Sequence, residues 1–195
     1  KPARAGIAIA DIASGMYAAI GILLALYQRE KTGEGQLIDV SMLDSIVSWL
    51  GYFPHHYWHA GEEPTRVGMR HHYVTPYGPY LAGDGEYVNL AVASASDWEV
   101  FCKKVIEKPE LLSDDRFASV EGRRKNRGVL EETIENIFLE KDHKHWLDQL
   151  KKADLPHGIV RGIAQVLAHP QVAARKLIRE AESPVGKVPL IANAL

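Results

Sequence analysis

Asp11 stands in the stretch Ala8-Ile9-Ala10-Asp11-Ile12-Ala13-Ser14-Gly15-Met16-Tyr17, a lone carboxylate directly before the uncharged, mostly aliphatic run Ile12 to Tyr27. A carboxylate so placed can do one of two things. It can accept a backbone N–H at the start of a helix, where the positive end of the helix dipole favours the ionised form, or it can serve as a base or nucleophile. On pattern alone capping is the stronger reading, because Asp is among the preferred N-cap residues.

Other reactive side chains come in clusters. His55 and His59 are four apart in His55-His56-Tyr57-Trp58-His59, so a helix would put both imidazoles on one face, as a zinc pair requires. No Glu or third ligand at suitable spacing completes the set, and no metal site is expected. His71 and His72 follow Arg66-Val67-Gly68-Met69-Arg70, a combination suited to proton transfer or to binding an anion, although from pattern alone solvated loop residues are the better account. The run Arg123-Arg124-Lys125-Asn126-Arg127 can meet a phosphate, but acidic residues from Asp114 and Asp115 to Glu131 and Glu132 cancel its field, so a solvated helix entrance is expected. The sequence contains no P-loop, no G-x-G-x-x-G and no G-x-S-x-G elbow.

These residues need elements to hold them. A helix is predicted from Ile12 to Glu30, apolar almost all the way round and therefore covered on most faces, and it stops at Lys31-Thr32-Gly33-Glu34-Gly35-Gln36. Leu37 to Ser41 reads as a short strand and Met42 to about His59 as a second helix, the helix, strand, helix order of an α/β unit. Gly61 to Pro79 is broken by glycines and prolines and reads as a linker or loop. Gly83-Asp84-Gly85 between two β-prone runs is a hairpin signal. Helices are predicted from Ser96 through Ile106, over Leu130 to Leu139 and over Lys144 to Ala153, giving the middle of the chain a small α+β domain. Short helices from Ile163 to Ala168 and Gln171 to Lys176 precede an extended tail.

The totals narrow the function classes. With 195 residues, 46% apolar and 25% charged, the chain can bury a real core. A net charge near −2 gives no bulk reason to bind nucleic acid or an anionic membrane. Cys102 is the single cysteine, which excludes an intrachain disulfide and any CxxC motif, so a reducing, cytoplasmic setting is expected. No signal peptide is expected, and the uncharged run is shorter than the roughly 20 residues of a spanning helix.

Four stretches carry a resemblance: Gly6 to Tyr17; Gly21 to Gln36, ending in Arg29-Glu30-Lys31-Thr32-Gly33-Glu34-Gly35-Gln36; Thr75-Pro76-Tyr77-Gly78-Pro79-Tyr80 followed by Gly83-Asp84-Gly85; and His169-Pro170-Gln171-Val172 with Ser183 to Pro189 downstream. In this order they resemble the family III CoA-transferases, which include formyl-CoA transferase, carnitine CoA-transferase and α-methylacyl-CoA racemase. The resemblance implies a C-terminal half of such a protein: a large-domain segment of a Rossmann-like α/β fold with the catalytic Asp (1–60), a linker (61–75), a small α+β domain (76–155) and a return segment (156–195). It also implies an interlocked homodimer, with most CoA contacts in the other half.

By the same resemblance Asp11 is the nucleophile, and capping and catalysis cease to compete, because a helix N-terminus keeps a carboxylate ionised. The chemistry implied is CoA transfer from an acyl-CoA to a free carboxylic acid through anhydride and aspartyl-CoA thioester intermediates, with no cofactor beyond the CoA thioester that is the substrate. Gly68, His71 and His72 are the implied substrate-binding residues, in the linker that the family brings to the thioester, where donors to the oxyanion count. Arg66 or Arg70 is available to pair a second carboxylate of the acid. Two alternatives stay open: a racemase using the same Asp in acid/base chemistry, and a non-catalytic fragment.

Overall fold

The computed structural model describes residues 4–192 and divides into two compact units, Lys1–Thr65 and Arg66–Leu195. The first is built on one long helix, α1 (Ile9–Thr32), followed by α2 (Met42–Val47), a 3₁₀ turn at Ser48–Leu50 and α3 (Phe53–Ala60). The expected stop signal operates: Gly33 takes the left-handed conformation at φ 75°, and its N–H closes on the Arg29 carbonyl at 2.8 Å.

Two expectations for this unit are corrected. Leu37 to Ser41 forms no strand, because a strand exists only through a neighbour, and none pairs with it among the described residues. The second helix is broken at Gly51, whose φ of 61° and ψ of −121° lie outside helical space, so α2 and α3 are separate helices.

The third correction concerns the surface of α1. Of its residues only Ala13 is buried. Its covered stripe is made of small side chains, Ala10, Ala13, Ser14, Ala18, Gly21 and Ala25, and a Cβ on Gly21 would lie 3.0 Å from Ile38 Cγ2. Small residues let the neighbouring chain approach closely, while the large ones, Ile12, Met16, Ile20, Leu23, Leu24 and Tyr27, point outward and are exposed. Such a distribution is the reverse of a helix whose apolar face is satisfied within its own unit. With 24 residues, α1 is also longer than its uncharged run, and it is the one helix among the described residues long and apolar enough to cross a membrane by length and composition.

The second unit has a closed core. Strands β1 (Tyr77–Leu81) and β2 (Tyr87–Ala91) form the expected hairpin across Gly83-Asp84-Gly85, and β3 (His157–Ile159) joins the far edge of β2, giving the antiparallel order β1-β2-β3. Val88 and Leu90 are buried while Tyr87 and Asn89 are exposed, the alternation of a strand with one covered face. Against that face pack α4 (Ala95–Val100), which runs on as a π-helical turn over Phe101–Val105, α6 (Arg127–Phe138) and α7 (His143–Lys152), while α5 (Val120–Lys125) packs on α6. Ser94 starts α4 with a capping box, its hydroxyl accepting from Asp97 N–H while the Asp97 carboxylate accepts from Ser94 N–H. Tyr80, Phe101, Leu130, Ile134, Phe138 and Leu150 lie at the centre with no exposed surface, each contributing about 1.5–3 kcal/mol by burial.

Beyond β3 come α8 (Ile163–Leu167) and α9 (Pro170–Ala174). The expected extended tail is a hairpin of β4 (Ile178–Ser183) and β5 (Gly186–Ile191), turned where Ser183 Oγ donates to the Gly186 carbonyl at 2.6 Å. All strand pairs among the described residues are antiparallel, and the architecture is mixed α/β.

Candidate active site

Asp11 belongs to the first unit and is not the helix cap. The helix begins two residues earlier, at Ile9, with Ala8 as N-cap and no side chain capping it, because Ile9 and Ala10 can take helical geometry without help from a polar group. Asp11 is the third helical residue and the acidic residue of the first turn, where the positive end of the dipole still acts on it. Its side chain is exposed and has no hydrogen-bond or ion-pair partner among the described residues. One turn on, Ser14 Oγ donates to the Ala10 carbonyl at 2.6 Å, a bond that keeps the hydroxyl on its own helix.

Lower on α1, Tyr17 forms a polar contact that the sequence reading did not single out. Its hydroxyl accepts from Trp49 Nε1 at 3.2 Å and meets Ser48 Oγ at 2.9 Å, and these two bonds hold its acidity above that of an ordinary tyrosine, lowering the pKa. Tyr17, Gly21, Ile38, Ser41 and Ser48 line a groove of about 370 Å³.

Gly68, His71 and His72 belong to the second unit. Gly68 has φ 65° in the turn Val67 to Arg70, closed by Arg70 N–H on the Val67 carbonyl at 3.3 Å. His71 is half-buried rather than solvated. Its Nδ1 accepts from Tyr73 N–H at 3.2 Å and from Val74 N–H at 3.0 Å, its backbone N–H donates to the Tyr77 carbonyl at 2.9 Å, and its ring stacks on Tyr77 with centroids 4.8 Å apart. His72 sits edge-on to the Tyr73 ring at 4.6 Å. The loop ends in a cis Thr75–Pro76 bond, both residues buried.

The basic run after Ser119 is where the sequence reading is most clearly corrected. Arg123 is 1% exposed and donates to the carbonyls of Thr75 (3.2 Å) and Phe117 (3.0 Å), with its guanidinium 4.9 Å from the Trp98 ring centroid. Arg127 donates through Nη2 to the His71 carbonyl at 2.7 Å and the Val74 carbonyl at 3.2 Å. Only Arg124 and Lys125 are solvated, both against Glu121. A signal existed: four cations within five positions crowd one short stretch, more than the neighbouring Glu121 can pair, so some had to serve elsewhere.

Arg70 is likewise committed. Its Nη2 lies 2.7 Å from Glu135 Oε1 and its guanidinium covers the Tyr80 ring at 3.6 Å, whereas Arg66 is exposed. His55 and His59 both lie exposed on α3, with the His55 ring edge-on to Trp58, and no third metal ligand joins them among the described residues.

Comparison with known proteins gives the class. Residues 1–195 match CoA-transferase family III throughout, and the chain belongs to that family. Its members use CoA thioesters as substrates. The chain is 34% identical over 173 residues to the acetyl-CoA:oxalate CoA-transferase of Acetobacter aceti, covering 89% of this chain and 44% of that one. It is 31% identical over 188 residues to the succinyl-CoA:glutarate CoA-transferase of Homo sapiens, covering 96% of this chain and 42% of the relative. Among solved structures, a CAIB/BAIF family protein from Brucella suis superposes with a TM-score of 0.78 at 31% identity over 100% of this chain and 50% of its own. Rv3272 from M. tuberculosis shares the fold, with a TM-score of 0.84 at 23% identity. The chain spans about half the length of the curated relatives it matches.

Proposed function

We propose that the complete protein moves CoA from an acyl-CoA thioester to a free carboxylic acid, with Asp11 as the nucleophile. The reading rests on family membership along the whole chain together with one structural observation, the exposed carboxylate in the first turn of α1, which has no partner among the described residues. A carboxylate that pairs with no cation among the described residues keeps its lone pairs for attack, and it lies at the positive end of the helix dipole.

The steps balance without a redox or metal partner. Asp11 attacks the acyl carbonyl, breaking the C–S bond and giving a mixed anhydride and CoA thiolate. The thiolate attacks the aspartyl carbonyl of that anhydride, forming an aspartyl-CoA thioester and releasing the first acid as its carboxylate. The acceptor carboxylate then attacks the aspartyl thioester and expels the thiolate. The thiolate takes the acceptor's acyl carbonyl, which restores the Asp11 carboxylate. Each tetrahedral intermediate carries an oxyanion, so hydrogen-bond donors aimed at it lower the barriers.

Gly68, His71 and His72 are the residues we assign to binding the thioester. For the acceptor we favour a dicarboxylic acid, in keeping with the oxalate and glutarate in the relatives' names. Arg70 is tied to Glu135, which leaves Arg66 for the second carboxylate. The outward apolar face of α1 we assign to contact with the rest of the protein, within an interlocked homodimer in the cytoplasm that completes the Rossmann-like large domain.

The test is to incubate the complete protein with acyl-CoA, add hydroxylamine and read residue 11 by mass spectrometry. A hydroxamate on Asp11, absent from Asp11→Asn, is the expected result. No adduct on the wild type, with deuterium instead entering the acyl α-carbon, would replace transfer by racemase-type acid/base chemistry.

A further inference from the structure

We propose that Arg127 is a positioning residue for the thioester chemistry, fixing the tautomer and plane of the His71 imidazole through the backbone of the His71–Val74 turn. The proposal deepens the reading above and rests on its assignment of His71 to thioester binding.

The geometry is specific. Arg127 is the first residue of α6, and its Nη2 spans both ends of the turn, donating to the carbonyls of His71 (2.7 Å) and Val74 (3.2 Å). Inside the turn thus closed, the amides of Tyr73 and Val74 both donate to His71 Nδ1. A nitrogen that accepts two N–H bonds carries no proton, which puts the ring N–H on Nε2. Stacking on Tyr77, with planes inclined 19°, fixes the ring's orientation. By this account His71 presents an Nε2–H donor of set direction, suited to stabilising an oxyanion, while Nδ1 is occupied as an acceptor.

The guanidinium itself is held. Its side chain is 16% exposed, and its Nε lies 3.6 Å from Glu131 Oε1 one turn along α6, an ion pair that balances the charge. Glu131 also accepts from Thr75 Oγ1 at 3.3 Å, so the same carboxylate ties the arginine and the end of the loop. A lysine keeps the charge but lacks the planar fork that fixes direction at both carbonyls.

The test uses the complete protein and the variants Arg127→Ala and Arg127→Lys, with kcat and KM for acyl-CoA normalised to the folded fraction. A long-range proton–nitrogen NMR spectrum, assigned with His71→Asn, reads the His71 tautomer. We expect a wild-type His71 protonated on Nε2, a tautomer mixture in Arg127→Ala, and a fall in kcat/KM of about 10- to 100-fold carried mostly by kcat, as for a misplaced catalytic contact. Arg127→Lys should recover part of both signals. If folded Arg127→Ala retains wild-type kcat/KM, or the tautomer does not change, Arg127 only stabilises the fold and the positioning role is wrong, while hydroxamate on Asp11 still upholds the reading it rests on. If wild type gives no Asp11 hydroxamate, that reading fails and the positioning role falls with it.

Discussion

Arg123 and Thr75 are 48 positions apart in sequence and joined inside the second unit, where the buried guanidinium donates through Nε to the Thr75 carbonyl at 3.2 Å. With Arg127 on His71 and Val74, this bond ties the loop preceding β1 to α5 and α6. Helices at one point of the chain thus set the shape of a loop fifty residues earlier.

Arg123→Ala is expected to destabilise the second unit by about 3 kcal/mol, because it strips two buried carbonyls of a charged donor and leaves a cavity beside Trp98. Arg123→Met, which refills the space but not the hydrogen bonds, should fall between. Urea denaturation followed by Trp fluorescence measures both, and equal stability of Ala and wild type would remove the clamp from the account.

Asp84, in the β1–β2 turn, bonds His143 at the start of α7. The His143 hydrogen bond, aided by the amides of Glu86 and His143, holds the Asp84 carboxyl below the usual aspartate range. A folded-state pKa below the unfolded one contributes stability that is present above the unfolded value, about 3.9, and lost as pH falls through the folded value. Thermal midpoints measured downward from about pH 6 should therefore drop below about pH 4 in wild type, and less steeply in Asp84→Asn. Parallel curves would remove Asp84 from the acid response.

Gly78 is buried in β1 at φ 140°, and a Cβ there would lie 2.8 Å from Arg70 Cδ and 3.0 Å from Arg70 Cα. Gly78→Ala meets backbone strain and a backbone clash together, so a loss of about 2–4 kcal/mol is expected. Gly128→Ala, with open space around it, should change stability by less than about 1 kcal/mol and serves as the control.

Leu23 and Leu24 are 67% and 62% exposed on α1. In this chain alone Leu23→Lys should alter stability by no more than about 0.5 kcal/mol and raise solubility. In the complete protein the same change should lower the melting temperature and weaken assembly, read by calorimetry and analytical ultracentrifugation. Indifference in the complete protein would show that this face stays open to solvent.

Much of the local structure was legible from local chemistry. The stop at Gly33, the Gly83-Asp84-Gly85 hairpin, and the helices over α4, α6 and α7 follow from glycine's access to positive φ, short polar side chains that bond nearby amides, and apolar spacing, all set within a few residues. For the candidate site, the residues placed Asp11 at a helix start, and the family resemblance named it nucleophile. Its place as the third helical residue, rather than at the cap, came from the structure, since Ala8 caps the helix without a polar side chain.

What the sequence could not contain was anything that depends on a distant partner. Leu37 to Ser41 has strand character but no neighbour to bond among the described residues, whereas the tail strands β4 and β5 find each other. Arg123 and Arg127 look like surface charge in a window of ten residues, and become structural donors only because the chain brings the Thr75 and His71 carbonyls to them. Composition and periodicity fix which residues prefer a helix, a turn or an apolar face. Which carbonyl a guanidinium meets, and which face of α1 carries its large side chains outward, is decided by contacts far apart in sequence, and those exist only in the folded chain.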